Sequence, residues 1–87
     1  MQYIEEHFTE PIKITDLAEK FNYSREYLIR RFKTIYGSSP HQYLIQYRIN
    51  KVFEHIAKGE SKSSAILNCG FNSASSFYYA LNNLNKE

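Results

Sequence analysis

The sequence predicts an all-α fold of six to seven helices, arranged as two helix-turn-helix lobes joined by a long central linker helix. Two observations carry that expectation. Apolar residues recur at helical spacing while strand-like alternation is almost absent, and Ser, Pro and Gly stand where helices start and stop.

From the amino end, Gln2 to Phe8 reads as a short helix with Ile4 and Phe8 on one face, ended by Glu10-Pro11. A second helix runs from about Ile14 to Phe21. Leu17, Ala18 and Phe21 give it one apolar face, and small Ala18 lets another helix cross closely. Asn22-Tyr23 breaks the periodicity, and Ser24 supplies an N-cap oxygen for a third helix from Arg25 to Tyr36. There Leu28, Phe32 and Ile35 form the inward stripe and Gly37 a left-handed stop. The pair is a helix-turn-helix. Its outward residues, Arg25, Glu26, Ile29, Arg30, Lys33 and Thr34, make a basic and polar surface of the size that enters a DNA major groove.

Ser39 as N-cap and Pro40 at the first helical position open the longest helix, which runs to about Lys58 with Gly59 as its stop. At ~1.5 Å per residue it is roughly 27 Å long. Leu44, Tyr47, Val52 and Ile56, with Tyr43 and Phe53, give it apolar contacts toward both ends, so it can pack against the helices on either side of it in the chain. Helices of about Ser61 to Asn68 and Ala74 to Asn82 complete the chain, and they partly repeat the first motif. Asn22-Tyr23-Ser24 is echoed by Gly70-Phe71-Asn72, Leu28 by Phe77, Phe32 by Leu81 and Leu17-Ala18 by Ala65-Ile66, with one extra residue in the second turn. The expected division is a first lobe over 1–39, a linker helix over 40–58 and a second lobe over 59–87.

With 87 residues the chain makes one domain, or two small lobes sharing a helix, and cannot bury a large core plus a deep catalytic cleft. Net charge is only +2, but it is unevenly placed. Ser24 to Lys51 carries Arg25, Arg30, Arg31, Lys33, Arg48 and Lys51 against Glu26 alone, net +5, whereas Met1 to Tyr23 is net −3 and Glu60 to Glu87 is neutral. That is the pattern of a phosphate footprint on the first lobe.

Enzymatic and metal chemistry find little support. His7, His41, His55 and Cys69 show no zinc-ligand spacing, and Cys69 reads as a small buried hydrophobe. There is no nucleophile elbow and no glycine-rich phosphate loop, and adjacent Glu5-Glu6 diverge on a helix. No metal or cofactor is expected. A single cysteine excludes an internal disulfide and fits a reducing cytoplasm, and no run approaches the ~20 apolar residues of a membrane span.

Leu17-Ala18, Tyr23-Ser24, Tyr27-Leu28, Arg30, Phe32-Lys33, Gly37, Ser39-Pro40, Tyr43, Arg48-Ile49, Gly70-Phe71, Ser75 and Phe77 together resemble the DNA-binding domain of AraC/XylS-family bacterial transcription regulators. The resemblance implies two lobes that place their second helices in successive major grooves of double-stranded DNA. It also implies a longer parent chain with an N-terminal sensor or receiver domain, and RNA polymerase as a candidate partner. The second lobe departs from the family pattern, with Tyr79 where an arginine is usual, Leu81-Asn82 for a Phe-Lys pair, and polar Lys62 for an apolar residue. The family also usually continues to a last short helix, so a sequence ending at Glu87 is expected to have a truncated second lobe.

The expected base readers are Arg25, Glu26, Ile29 and Arg30 in the first lobe and Ala74, Ser75, Tyr78 and Tyr79 in the second. A guanidinium at Arg30 can address guanine O6 and N7 bidentately, Glu26 can accept from cytosine N4, and Ile29 can pack on a thymine methyl. The alternatives are an Arg30–Glu26 salt bridge, a Glu26 that only complements its helix N-terminus, and core positions for Tyr78 and Tyr79. Ser24, Arg31, Lys33, Ser39 and Arg48 are the expected phosphate contacts, with a structural role for Arg48 left open. A helical protein-interaction module that does not read DNA is the alternative function.

Overall fold

The computed structural model describes residues 2–84. Its six helices are, in chain order, α1 (Gln2–His7), α2 (Ile14–Lys20), α3 (Arg25–Tyr36), α4 (Pro40–Ala57), α5 (Lys62–Asn68) and α6 (Ala74–Leu84), with no strand among the described residues. Lys86 and Glu87, which enter the neutral charge of the second lobe, lie outside them, as does the expected truncation at Glu87.

The start and stop residues act locally. Ser24 Oγ accepts the Tyr27 N–H at 3.1 Å, and Gly37, at φ +79°, closes α3 by donating to Lys33 O at 2.8 Å. At α4, Ser39 Oγ accepts the Gln42 N–H while Gln42 Oε1 accepts the Ser39 N–H, a reciprocal capping box just before Pro40. Ser61 caps α5 through the Ser64 N–H.

Three apolar clusters hold the helices. Leu17 and Ala18 of α2 meet Leu28 of α3, with Tyr3 and Ile14 at the edge. Ile4 of α1, Phe32 of α3 and Leu44 of α4 form the second cluster, in which the rings of Phe32, Tyr36 and Tyr43 pack within 4.5 to 5.4 Å of one another. Ile49 and Val52 of α4 join Ala65, Ile66, Cys69, Phe71 and Phe77 in the third. Phe8 packs against both the second and the third. The two lobes are therefore joined by more than the α4 shaft.

Several expected core positions are corrected. Phe21 is exposed because α2 ends at Lys20, and its ring, at the C-cap, turns outward toward Tyr23. Ile35 is 57% exposed. The seven residues of α2 rise only ~10 Å, enough to cover Leu28 but not a third turn of α3. Phe53 is also exposed, touching Phe77 only edge-on, and Ile49 takes the buried place on α4 instead.

The inferred repeat is real in the backbone. Tyr23 N–H donates to Ala18 O at 2.9 Å, and Phe71 N–H to Ile66 O at 3.3 Å. Asn22 (φ +59°) and Gly70 (φ +97°) both occupy the left-handed region between their helices. The extra residue in the second turn moves the N-cap to Ser73, whose Oγ accepts the Ser76 N–H.

Candidate nucleic-acid interface

With Leu28 and Phe32 buried, α3 must turn its opposite side to solvent. Glu26, Arg30, Lys33 and Thr34 are exposed on that side, Arg25 at the helix start and Arg31 are exposed at its flanks, and Ile29 is half-buried. Among the described residues the ion pairs are His7–Glu10, Lys51–Glu54 and His55–Glu60, so no α3 cation is engaged by a carboxylate. The Arg30–Glu26 salt bridge is absent. Four unpaired cations against one carboxylate on twelve residues of helix leave a net charge of +3 facing solvent. Tyr27, which the periodicity did not mark as outward, borders this surface and packs on Tyr23 at 4.9 Å between centroids. Its place one residue before buried Leu28 was the available signal.

The second helix of the second unit, α6, offers different chemistry. Between Ala74 and Leu84 there is no charged residue. Ala74, Ser75, Tyr78 and Tyr79 are all exposed, with Tyr79 at 72%, so neither tyrosine takes a core position. Ser75 and Tyr79 open onto a groove of about 730 Å³ between α6 and the first half of α4, where His41, Gln42 and Ile45 also line it. Tyr78 leans instead against Phe77, 5.3 Å between ring centroids.

The expected phosphate contacts divide. Ser24, Arg31 and Lys33 lie exposed along α3 and at its start. Ser39 is half-buried, and the capping box engages the N–H groups of Ser39 and Gln42 while Pro40 has none, so few amides at the start of α4 are left to receive a phosphate beside Ser39. Arg48 turns inward. Its Nε donates to Phe8 O at 2.6 Å and its Nη2 to Glu10 O at 2.9 Å, and burial lowers its pKa from the usual arginine value. The structural alternative left open for Arg48 is the one the geometry favours.

Cys69 is fully buried beside Gly70, and burial pushes its thiol pKa up, which keeps it protonated and unreactive. Among the described residues no three His, Cys, Asp or Glu side chains come together as a metal site, and no helix is long and apolar enough to cross a membrane.

Two helix-turn-helix units on a shared helix, one with an unpaired basic reading face, define a double helix-turn-helix DNA-binding domain. Residues 4–44 match the family described as bacterial regulatory helix-turn-helix proteins, AraC family. The chain is 37% identical over 68 residues to the bifunctional transcriptional activator/DNA repair enzyme Ada of Escherichia coli, covering 78% of this chain and 19% of that protein. It is 31% identical over 83 residues to the probable transcriptional regulator LumQ of Photobacterium leiognathi, covering 94% and 34%. The C-terminal domain of the two-component response regulator yesN from Fusobacterium nucleatum superposes with a TM-score of 0.83 at 26% identity, covering 99% of this chain and 91% of that one. The chain belongs to the AraC family of helix-turn-helix domains. It spans about a fifth to a third of the length of the curated relatives it matches.

Proposed function

We propose that this domain binds double-stranded DNA sequence-specifically as the output module of a bacterial transcription regulator, with α3 as the principal reader and α6 as an uncharged second reader. The observation that carries the proposal is the exposed surface of α3, where Arg25, Arg30, Arg31 and Lys33 have no ion pair among the described residues. Arg30, from the middle of that face, reads guanine, while Arg25, Glu26 and Ile29 contact neighbouring base edges and Ser24, Arg31 and Lys33 hold phosphates. The chain measures 40 Å along its longest axis, enough to reach between successive major grooves ~34 Å apart. The working division is a first lobe over 1–39, a linker over 40–58 and a second lobe over 59–87. In its parent protein the domain follows a regulatory domain, acts in the cytoplasm and works with RNA polymerase.

Selection of bound sequences from a random duplex pool tests this. The expected result is an enriched site with a strong half, containing a guanine read by Arg30, and a weaker half one helical turn away. No enrichment, with binding that does not weaken as salt rises, would sink the DNA reading and favour a protein partner.

A further inference from the structure

A helix joining two lobes fixes their separation but not their tilt about it; side contacts must do that. Here the contact is a three-part junction. The chain leaving α1 at Phe8 to Glu10 belongs to the first lobe, since Ile4 of α1 packs on Phe32 of α3 and Tyr3 reaches the α2–α3 cluster. Arg48, midway along α4, grips that chain by donating to the carbonyls of both Phe8 and Glu10. From the other side the turn of the second helix-turn-helix closes on the same point. A Cβ on Gly70 would lie 2.7 Å from Phe8 O, 2.8 Å from Arg48 Nε and 3.2 Å from Thr9 Cα, so only glycine permits the approach, and its φ of +97° makes the same demand. The Phe8 ring fills the seam, packed against both the second and the third cluster and edge-on to Tyr47 at 5.1 Å.

We propose that the Arg48–Phe8–Gly70 junction sets the angle between the two lobes, and thereby the spacing of the two half-sites the domain accepts, with Arg48 as a positioning residue that does not itself touch DNA. The inference rests on the two-groove reading of the domain. Its physical basis is the pair of bonds. A guanidinium held at Nε and Nη2 by two carbonyls two residues apart is fixed in plane and direction, which a single ammonium cannot reproduce. One base pair of added spacing turns the second groove by ~35° and shifts it ~3.4 Å, so a rigid junction discriminates against it and a loosened one does not.

The test measures binding of the parent chain and of Arg48→Met to duplexes whose half-sites are moved together or apart by one base pair. In parallel, residual dipolar couplings from α2–α3 and from α5–α6 are recorded on the DNA-free proteins. The parent is expected to favour one spacing by about tenfold or more, and one alignment tensor should fit both lobes. Arg48→Met should bind all three spacings within about twofold of one another while keeping its affinity for an isolated first half-site, and its lobes should require separate tensors. Arg48→Lys, which restores one bond, should fall between, and it carries the test if Arg48→Met does not fold. The proposal is overturned if the folded variant keeps the parent's spacing profile and a common tensor, or if it loses isolated half-site affinity to the same extent. A parent that binds no duplex at all, yet has lobes in one orientation that Arg48→Met releases, would overturn the DNA reading and leave the junction's role in lobe orientation standing.

Discussion

The two helix-turn-helix units share a backbone and differ in almost everything presented outside it. Both turns pass through a left-handed residue, Asn22 or Gly70, and the helix after each turn starts at a serine N-cap, Ser24 or Ser73. Yet α3 carries four cations with no ion pair among the described residues, and α6 has no charged residue at all. The turn is a solution to a packing problem, set by where Leu28 or Phe77 must be buried. What the motif can bind is decided by residues that packing leaves alone. The cores differ as well. Tyr23 stays exposed in the first turn, whereas Phe71 at the matching place is buried with Cys69 and Phe77 against α4.

The largest expected effect breaks the first unit from inside. Phe32 is 3% exposed at the meeting of α1, α3 and α4, so Phe32→Ala should cost ~3–5 kcal/mol of stability, read by thermal or urea unfolding. Ile35→Ala, three residues on, should cost less than ~0.5 kcal/mol, because its side chain is mostly in water. Similar melting of the two variants would mean that α3 is rotated from its described position.

Next comes the surface difference. Arg30→Ala should weaken specific binding by ~1–3 kcal/mol and relax preference at one base pair, whereas an equal loss on every sequence would make Arg30 a phosphate contact. Tyr79→Arg places a cation on α6 where the structure has a ring 72% exposed. It should tighten binding to a two-groove site by ~1–3 kcal/mol and steepen the log–log salt slope by about one, with no gain on a half-site for the first groove. Weaker binding by this variant would show the tyrosine itself to be a reader.

The smallest effect concerns the ties of the second unit. Glu60 accepts from Ser64 and Asn68 and meets His55, and these bonds hold its carboxyl pKa below the usual carboxylate value. A depressed folded pKa contributes stability that is present above the unfolded value of ~4.3 and lost as pH falls through the folded one. Glu60→Gln should therefore reduce the loss of stability below about pH 4.5, measured by unfolding across pH.

How much of this was legible in the sequence depends on how local the cause is. Helix starts at Ser24, Ser39 and Ser61 and the stop at Gly37 need only neighbouring residues, and the repeated turn shows in the spacing of a few apolar pairs. Phe21, Ile35 and Phe53 misled because periodicity marks which side of a helix is apolar, not how far the partner helix extends to cover it. Ser73 was hidden by the extra residue in its turn. The interface depends on both kinds of cause. The exposed cations of α3 are set by its own period, but the fate of Arg48 depends on two carbonyls about forty residues earlier in the chain and on the approach of Gly70.

The central claim, that the first unit supplies the charged part of the interface and the second an uncharged part, is tested most directly by salt dependence. Affinity is measured between about 50 and 200 mM salt for a two-groove duplex and for one carrying only the first half-site. The account predicts tighter binding to the longer site with log–log slopes that agree within about one unit, since α6 brings no cation to release counterions. A slope steeper by two or more units on the two-groove site would contradict it.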